Sequence, residues 1–192
     1  CETSFGDGVQ AFYSTYFSCV TVSVSGSNTV INSDNLPPHE SWYFSDEHGN
    51  YIEWASQGDG YYLNPNMIST QDLTISIPNE PTSRGLTING SLVDGEIGTS
   101  NYEYDMSTVG IALDGCSLFN PLAGPGDDIE DEKYLFGLYS GHPEMTGNYH
   151  YHSTTKGPLE VLEHKGLIQT PVVGSAEIEL YGIMCDGTLI LG

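Results

Sequence analysis

Basic residues are nearly missing from this chain: 4 Lys and Arg face 26 Asp and Glu across 192 residues, a formal net charge of −22. That balance argues against nucleic acid or an anionic membrane as partner, because each phosphate contact needs a Lys or Arg. It favours cations, basic partners, or solubility in salty water, where screening weakens self-repulsion. No apolar run approaches the roughly 20 residues of a membrane-spanning helix. The densest acidic run, 124–132, lacks the Asp-x-Asp-x-Asp-Gly spacing of an EF-hand loop, so calcium is expected only as a weak ligand. No Ser-centred nucleophile elbow is present either.

Cysteines are few, 4 in all, but even in number, and one occupies position 1. The chain therefore reads as an exported protein whose signal peptide has been removed, with two disulfides formed in an oxidising compartment. Three connectivities exist. Cys1–Cys19 with Cys116–Cys185 is preferred, since Cys116 and Cys185 occupy related blocks, 110–121 and 181–192, which share Gly-Ile-x-x-Asp-Gly. Each bridge would stabilise by roughly 3 to 4.5 kcal/mol in the loop-entropy model. The alternative for Cys1 is a bacterial lipid anchor.

What is present is alternation. In 19–25, Val20, Val22 and Val24 share one face and Thr21, Ser23 and Ser25 the other, the pattern of a half-buried strand. Segments 51–55, 73–77, 109–113, 148–152, 167–173 and 176–184 are further expected strands, separated by Gly, Asn, Asp and Pro clusters. Two short helices are expected. Asp127 would cap one reaching Leu138, with Glu130 completing a capping box; Pro158 would open the other and Gly166 end it. The expected fold is all-β, an antiparallel sandwich-like single domain over 1–192, with 1–29 an N-terminal strand region and 30–192 the core. Asp114 and Asp186 are expected in equivalent Asp-Gly turns, or else as partners that hydrogen-bond site histidines.

Three of the 6 histidines, His142, His150 and His152, fall within eleven residues. On a strand, His150 and His152 would point one way and Tyr149 and Tyr151 the other. Gly141, Pro143 and Gly147 would turn the chain so that His142 folds back toward the pair. Imidazoles grouped in this way suit a transition metal, copper or zinc, better than calcium or magnesium. His48 is expected in a solvent-facing turn and His164 near a helix C-terminus.

Gly141-His-Pro, a short spacer and Tyr149-His-Tyr-His resemble the signature of the YHYH domain family, found in secreted and surface proteins. Asn35-Leu-Pro-Pro-His39 is similar to that family's early Asn-Gly-Ile-Pro-x-His segment. Blocks 110–121 and 181–192 resemble its two Asp-Gly blocks, so the likeness covers roughly 30–192. Many members carry Asp and Cys before Gly-His-Pro, where this chain has Leu138-Tyr139-Ser140. The resemblance implies a secreted or surface domain whose histidine site would gather His39 with His142, His150 and His152.

Three functions compete. The first is an extracellular protein that binds copper or zinc through these histidines in a binding or structural role. The second is a subunit of a filament, sheath or adhesive surface, a homopolymer suggested by disulfides, 13 tyrosines, 23 glycines and only 4 trypsin sites. The third is a metal-dependent enzyme with Glu144 or Asp127 as general base; no second motif supports it.

Overall fold

Alternating β-branched residues build the first sheet of the computed structural model, which describes residues 1–82, 107–120, 124 and 129–192. Its strands are β1 (Ser4–Phe5), β2 (Thr21–Ser25), β3 (Asn28–Ser33) and β4 (Leu73–Pro78), in that order. Val22, Thr29, Ile31, Ile75 and Ile77 all turn inward. Gly26, at φ +61°, lets two residues join β2 to β3. Strand β1 runs parallel to β2. The Cys1–Cys19 disulfide ties the two together, as expected. Helix α1 (Ala11–Tyr16) sends Tyr13 into the core, and Phe17 follows it there. That helix and β3 went unread in the sequence.

The second sheet contains β5 (Thr108–Ala112), β6 (Ser117–Phe119), β7 (Gly141–Pro143), β8 (Tyr149–Tyr151), β9 (Leu180–Met184) and β10 (Leu189–Leu191). Their spatial order is β10-β9-β5-β6-β8-β7. One core joins the two sheets through Ile31, Ile75, Ile111 and Ile183, so the β-rich, sandwich-like expectation holds. Strict antiparallel pairing does not. Strand β6 runs parallel to β8, because the long connection between them supplies the crossover that parallel neighbours need. Segment 51–55 forms only an isolated bridge, Ser41 with Tyr51, and 167–173 contains no strand.

The repeated Gly-Ile-x-x-Asp-Gly blocks are explained by pairing. Strands β5 and β9 are antiparallel neighbours, with Ile111 opposite Ile183 and Ala112 opposite Gly182. A Cβ on Gly182 would lie 2.3 Å from the Ile111 carbonyl oxygen, and one on Gly110 would lie 2.6 Å from that of Ile183. Each block keeps glycine where the other strand's backbone approaches.

That same pairing rules out the expected Cys116–Cys185 bridge; both are free thiols. Cys116 accepts at its carbonyl from Ala112 N–H on one edge of β5, while Cys185 N–H donates to the Val109 carbonyl on the other edge. Three residues of strand separate those contacts, about 10 Å at 3.3 Å each. A disulfide spans at most about 7 Å between Cα atoms.

Helix α2 (Ile129–Glu132) continues as a 3-10 turn, Lys133–Leu135, and its expected cap Asp127 lies outside the described residues. Helix α3 (Lys156–His164) begins two residues before Pro158, which is tolerated in the first turn because those N–H groups have no helical partner. Gly166, at φ +71°, follows its end as expected. Leu159 and Leu162 are fully buried, each contributing roughly 1.5 to 3 kcal/mol.

Candidate metal centre

Strand register gathers the histidines. In the β7–β8 hairpin His142 lies directly opposite His150, and directly opposed residues share a face. His152 follows His150 by two residues and shares it too. The hairpin turn is held by Gly147, at φ +82°, and by the Glu144 carboxylate, which accepts from Thr146 N–H and Asn148 N–H. Gly141 is required beside His142, since a Cβ there would meet the Tyr149 hydroxyl at 2.5 Å. Asn35 fixes β8 from outside: its amide donates to the Tyr149 carbonyl at 2.8 Å and its Oδ1 accepts from Ser117 N–H at 2.7 Å.

One ligand atom from each of His142, His150 and His152 lies within 4.8 Å of the others. His150 Nδ1 lies 3.0 Å from the Asn148 carbonyl and His152 Nδ1 2.7 Å from that of Asn120. A carbonyl only accepts, so both Nδ1 atoms carry the ring protons and both Nε2 atoms present lone pairs. These two Nε2 atoms face each other at 3.0 Å. Lone pairs at that distance repel, whereas two imidazoles bound about 2.1 Å from one ion fit it.

Burial keeps the rings neutral. It pushes the His142 pKa down to about 3, helped by His152. It also holds His150 well below the usual value, with His142 and His152 adding to the effect. His152 is lowered by burial despite its carbonyl partner. Neutral imidazoles are the form that binds metal, so no proton must leave at neutral pH. Phe119 stacks on His150 at 3.8 Å between ring centres, and Phe136 lies 5.9 Å from His152 and 5.1 Å from His142.

The other expected site residues go elsewhere. His39 does not join the cluster: it stacks on Tyr139 at 3.6 Å and meets the Tyr151 hydroxyl on the opposite face of β8. Asp114 is buried and bonds to that same hydroxyl, so it reaches His39 through Tyr151 and not the clustered histidines. Asp186 is exposed and accepts from Thr188 N–H in its own turn. The Asp-Gly turns are thus alike in chain path and unlike in surroundings. Glu144, proposed as a general base, is committed to its turn; burial raises its pKa, but hydrogen bonds from Thr146 and Asn148 outweigh that and lower it. Exposed His48 stacks on buried Phe44 within a turn, and His164 closes α3, both as expected.

Sequence reading missed Glu132, whose Oε1 lies 3.5 Å from His142 Nε2 and whose Oε2 lies 3.7 Å from His152 Nε2. It also missed Asn35, Asn120, Phe119 and Phe136; Asn35 had a signal in the Asn-Leu-Pro-Pro-His segment, and Phe119 and Asn120 had one in block 110–121. Compared with protein-family models, curated proteins and solved structures, the chain matches none of them.

Proposed function

We propose that this is an extracellular YHYH-type protein that holds copper or zinc through His142, His150 and His152, in a binding or structural role. One observation carries the reading: two buried Nε2 atoms 3.0 Å apart, each made a lone-pair donor by its ring's Nδ1 bond. The nitrogen-rich set suits copper or zinc over calcium, which takes oxygen ligands. The Cys1–Cys19 disulfide supports an oxidising compartment, and no described helix is long and apolar enough to cross a membrane.

Elemental analysis after equilibration with zinc or copper, and calorimetric titration of metal-stripped protein, test it. The wild type should take up about one ion per chain, and a variant carrying His142→Ala, His150→Ala and His152→Ala should take up none. Equal uptake by both proteins would sink the reading.

A further inference from the structure

Three neutral imidazoles bring no negative charge to an ion carrying two positive charges. A buried cation is costly unless a counter-charge lies beside it. Glu132 is placed to supply one. It closes helix α2, and its two carboxylate oxygens reach toward different histidines, Oε1 to His142 Nε2 at 3.5 Å and Oε2 to His152 Nε2 at 3.7 Å. His142 Nε2 is buried, has no hydrogen-bond partner, and is aimed into the same space.

The spacing has a simple meaning. Ligand atoms about 2.1 Å from a tetrahedral ion lie about 3.4 Å from one another. The separations here are 3.0 Å between His150 and His152, 3.5 Å between Glu132 and His142, and 3.7 Å between Glu132 and His152. Each is close to such an edge; the two Glu132 distances belong to different oxygens, so one oxygen must turn inward to complete a four-atom shell.

We propose that Glu132 is the carboxylate ligand of this centre, completing a three-histidine, one-glutamate set for a divalent zinc or copper ion. The proposal rests on the metal-binding reading above and adds to it a residue from another part of the chain. With the imidazoles and a carboxylate as donors, and Cys116 buried among the tyrosines on the opposite face, divalent ions are favoured over copper(I), which prefers sulfur. Glu132 is also the most exposed member of the set, its side chain 19% accessible against 3% for His142 and 4% for His152. An ion entering from that side meets the carboxylate first. Binding therefore ties α2 and the turn Lys133–Leu135 to the β7–β8 hairpin.

Cobalt(II) is the probe, because its visible bands report the ligand set as well as the affinity. Wild-type protein should bind it, and Glu132→Gln should bind at least about 10-fold more weakly, with shifted bands. Asp131→Asn removes the same charge one residue earlier and should leave both readouts unchanged. On the wild type itself, cobalt should slow amide exchange across 129–135, a readout that does not depend on any variant folding. A Glu132→Gln protein with wild-type affinity and bands, or no change in exchange across 129–135, would overturn the assignment while leaving the histidine site intact. Failure of the wild type to bind cobalt, zinc or copper would overturn the metal reading as well.

Discussion

His39 Nε2 lies 2.8 Å from the Tyr151 hydroxyl oxygen, on the face of β8 opposite His150. His39 Nδ1 faces the Glu40 carbonyl at 3.1 Å, so each ring nitrogen has a polar neighbour. The Tyr151 oxygen in turn lies 2.8 Å from Asp114 Oδ2. Burial raises the Asp114 pKa, opposed by the hydrogen bonds it accepts from the Tyr151 hydroxyl and Cys116 N–H. The result is a buried polar chain, Asp114 to Tyr151 to His39 to the Glu40 carbonyl.

This chain makes the fold acid-sensitive. Burial lowers the His39 pKa from 6.5 to about 4, the Glu40 carbonyl partly opposing it and Lys156 adding to it. Between those values the unfolded chain binds a proton that the folded one does not, so stability falls as pH falls. The contribution is fully present above pH 6.5 and lost by about pH 4, up to about 3 kcal/mol. Urea unfolding at pH 7 and pH 4.5 should show that slope in the wild type, and a shallower one in His39→Gln. Equal slopes would contradict it.

Thiol counting checks the cysteine assignment. In native protein Cys185, which is exposed, should react with a thiol reagent, while buried Cys116 should not. Burial and nearby Asp114 hold the Cys116 pKa well above its usual value, which removes the thiolate nucleophile. Denaturation without reductant should reveal the second thiol and no more. Four reactive thiols would refute the Cys1–Cys19 bridge.

Removing that bridge has a calculable cost. Cys1 and Cys19 are 18 residues apart in sequence. The loop-entropy model then gives about 3 kcal/mol, so Cys1→Ala with Cys19→Ala should unfold at markedly lower urea concentration. An unchanged midpoint would show that β1 is held by its strand pairing alone.

The β5–β9 contact predicts where glycine is obligatory. Gly182→Ala would place Cβ 2.3 Å from the Ile111 carbonyl oxygen, a backbone atom that cannot move aside cheaply. A loss of about 1 to 3 kcal/mol or more is expected. Gly49→Ala, with nothing within 4 Å, should change stability by less than about 0.5 kcal/mol. Chemical denaturation of the two variants decides it.

Metal should stabilise the fold by mass action. At zinc concentrations about 100-fold above the dissociation constant, stability should rise by about 2.7 kcal/mol. Calorimetry should show a higher Tm with zinc that a chelator reverses, and no zinc response in the variant lacking His142, His150 and His152. A zinc response of equal size in that variant would place the ion elsewhere.

Much of the centre was legible because strand periodicity is local. His-x-His with intervening tyrosines is enough to put His150 and His152 on one face and Tyr149 and Tyr151 on the other, and the 3.0 Å approach of the imidazoles follows. Val20 and Val22 and the isoleucines of β4 turn inward for the same reason, whereas Val24, expected on the same face, is exposed. The preference for Cys1–Cys19 rested on pairing Cys116 with Cys185, which the fold keeps apart, so the correct bridge was reached from a wrong premise. By contrast, β6 and β7, as short as β8, carry no alternation of side-chain type that marks a strand.

The sequence by itself determined the β-rich class, the acidic surface and the paired imidazoles, since composition and period-two alternation need no distant partner. Tertiary structure decided everything that depends on which strand lies beside which. Hairpin register set His142 opposite His150. The chain path carried Glu132 and the Asn120 carbonyl to the same imidazoles. Strand pairing put Cys116 and Cys185 on opposite edges of β5. His39, grouped with the metal ligands by its motif, went to the other face of β8 to bond with Tyr151. The physical reason is one of range: a side chain's face follows from its immediate neighbours, but its partner is chosen by hydrogen-bond register and core packing across the whole fold.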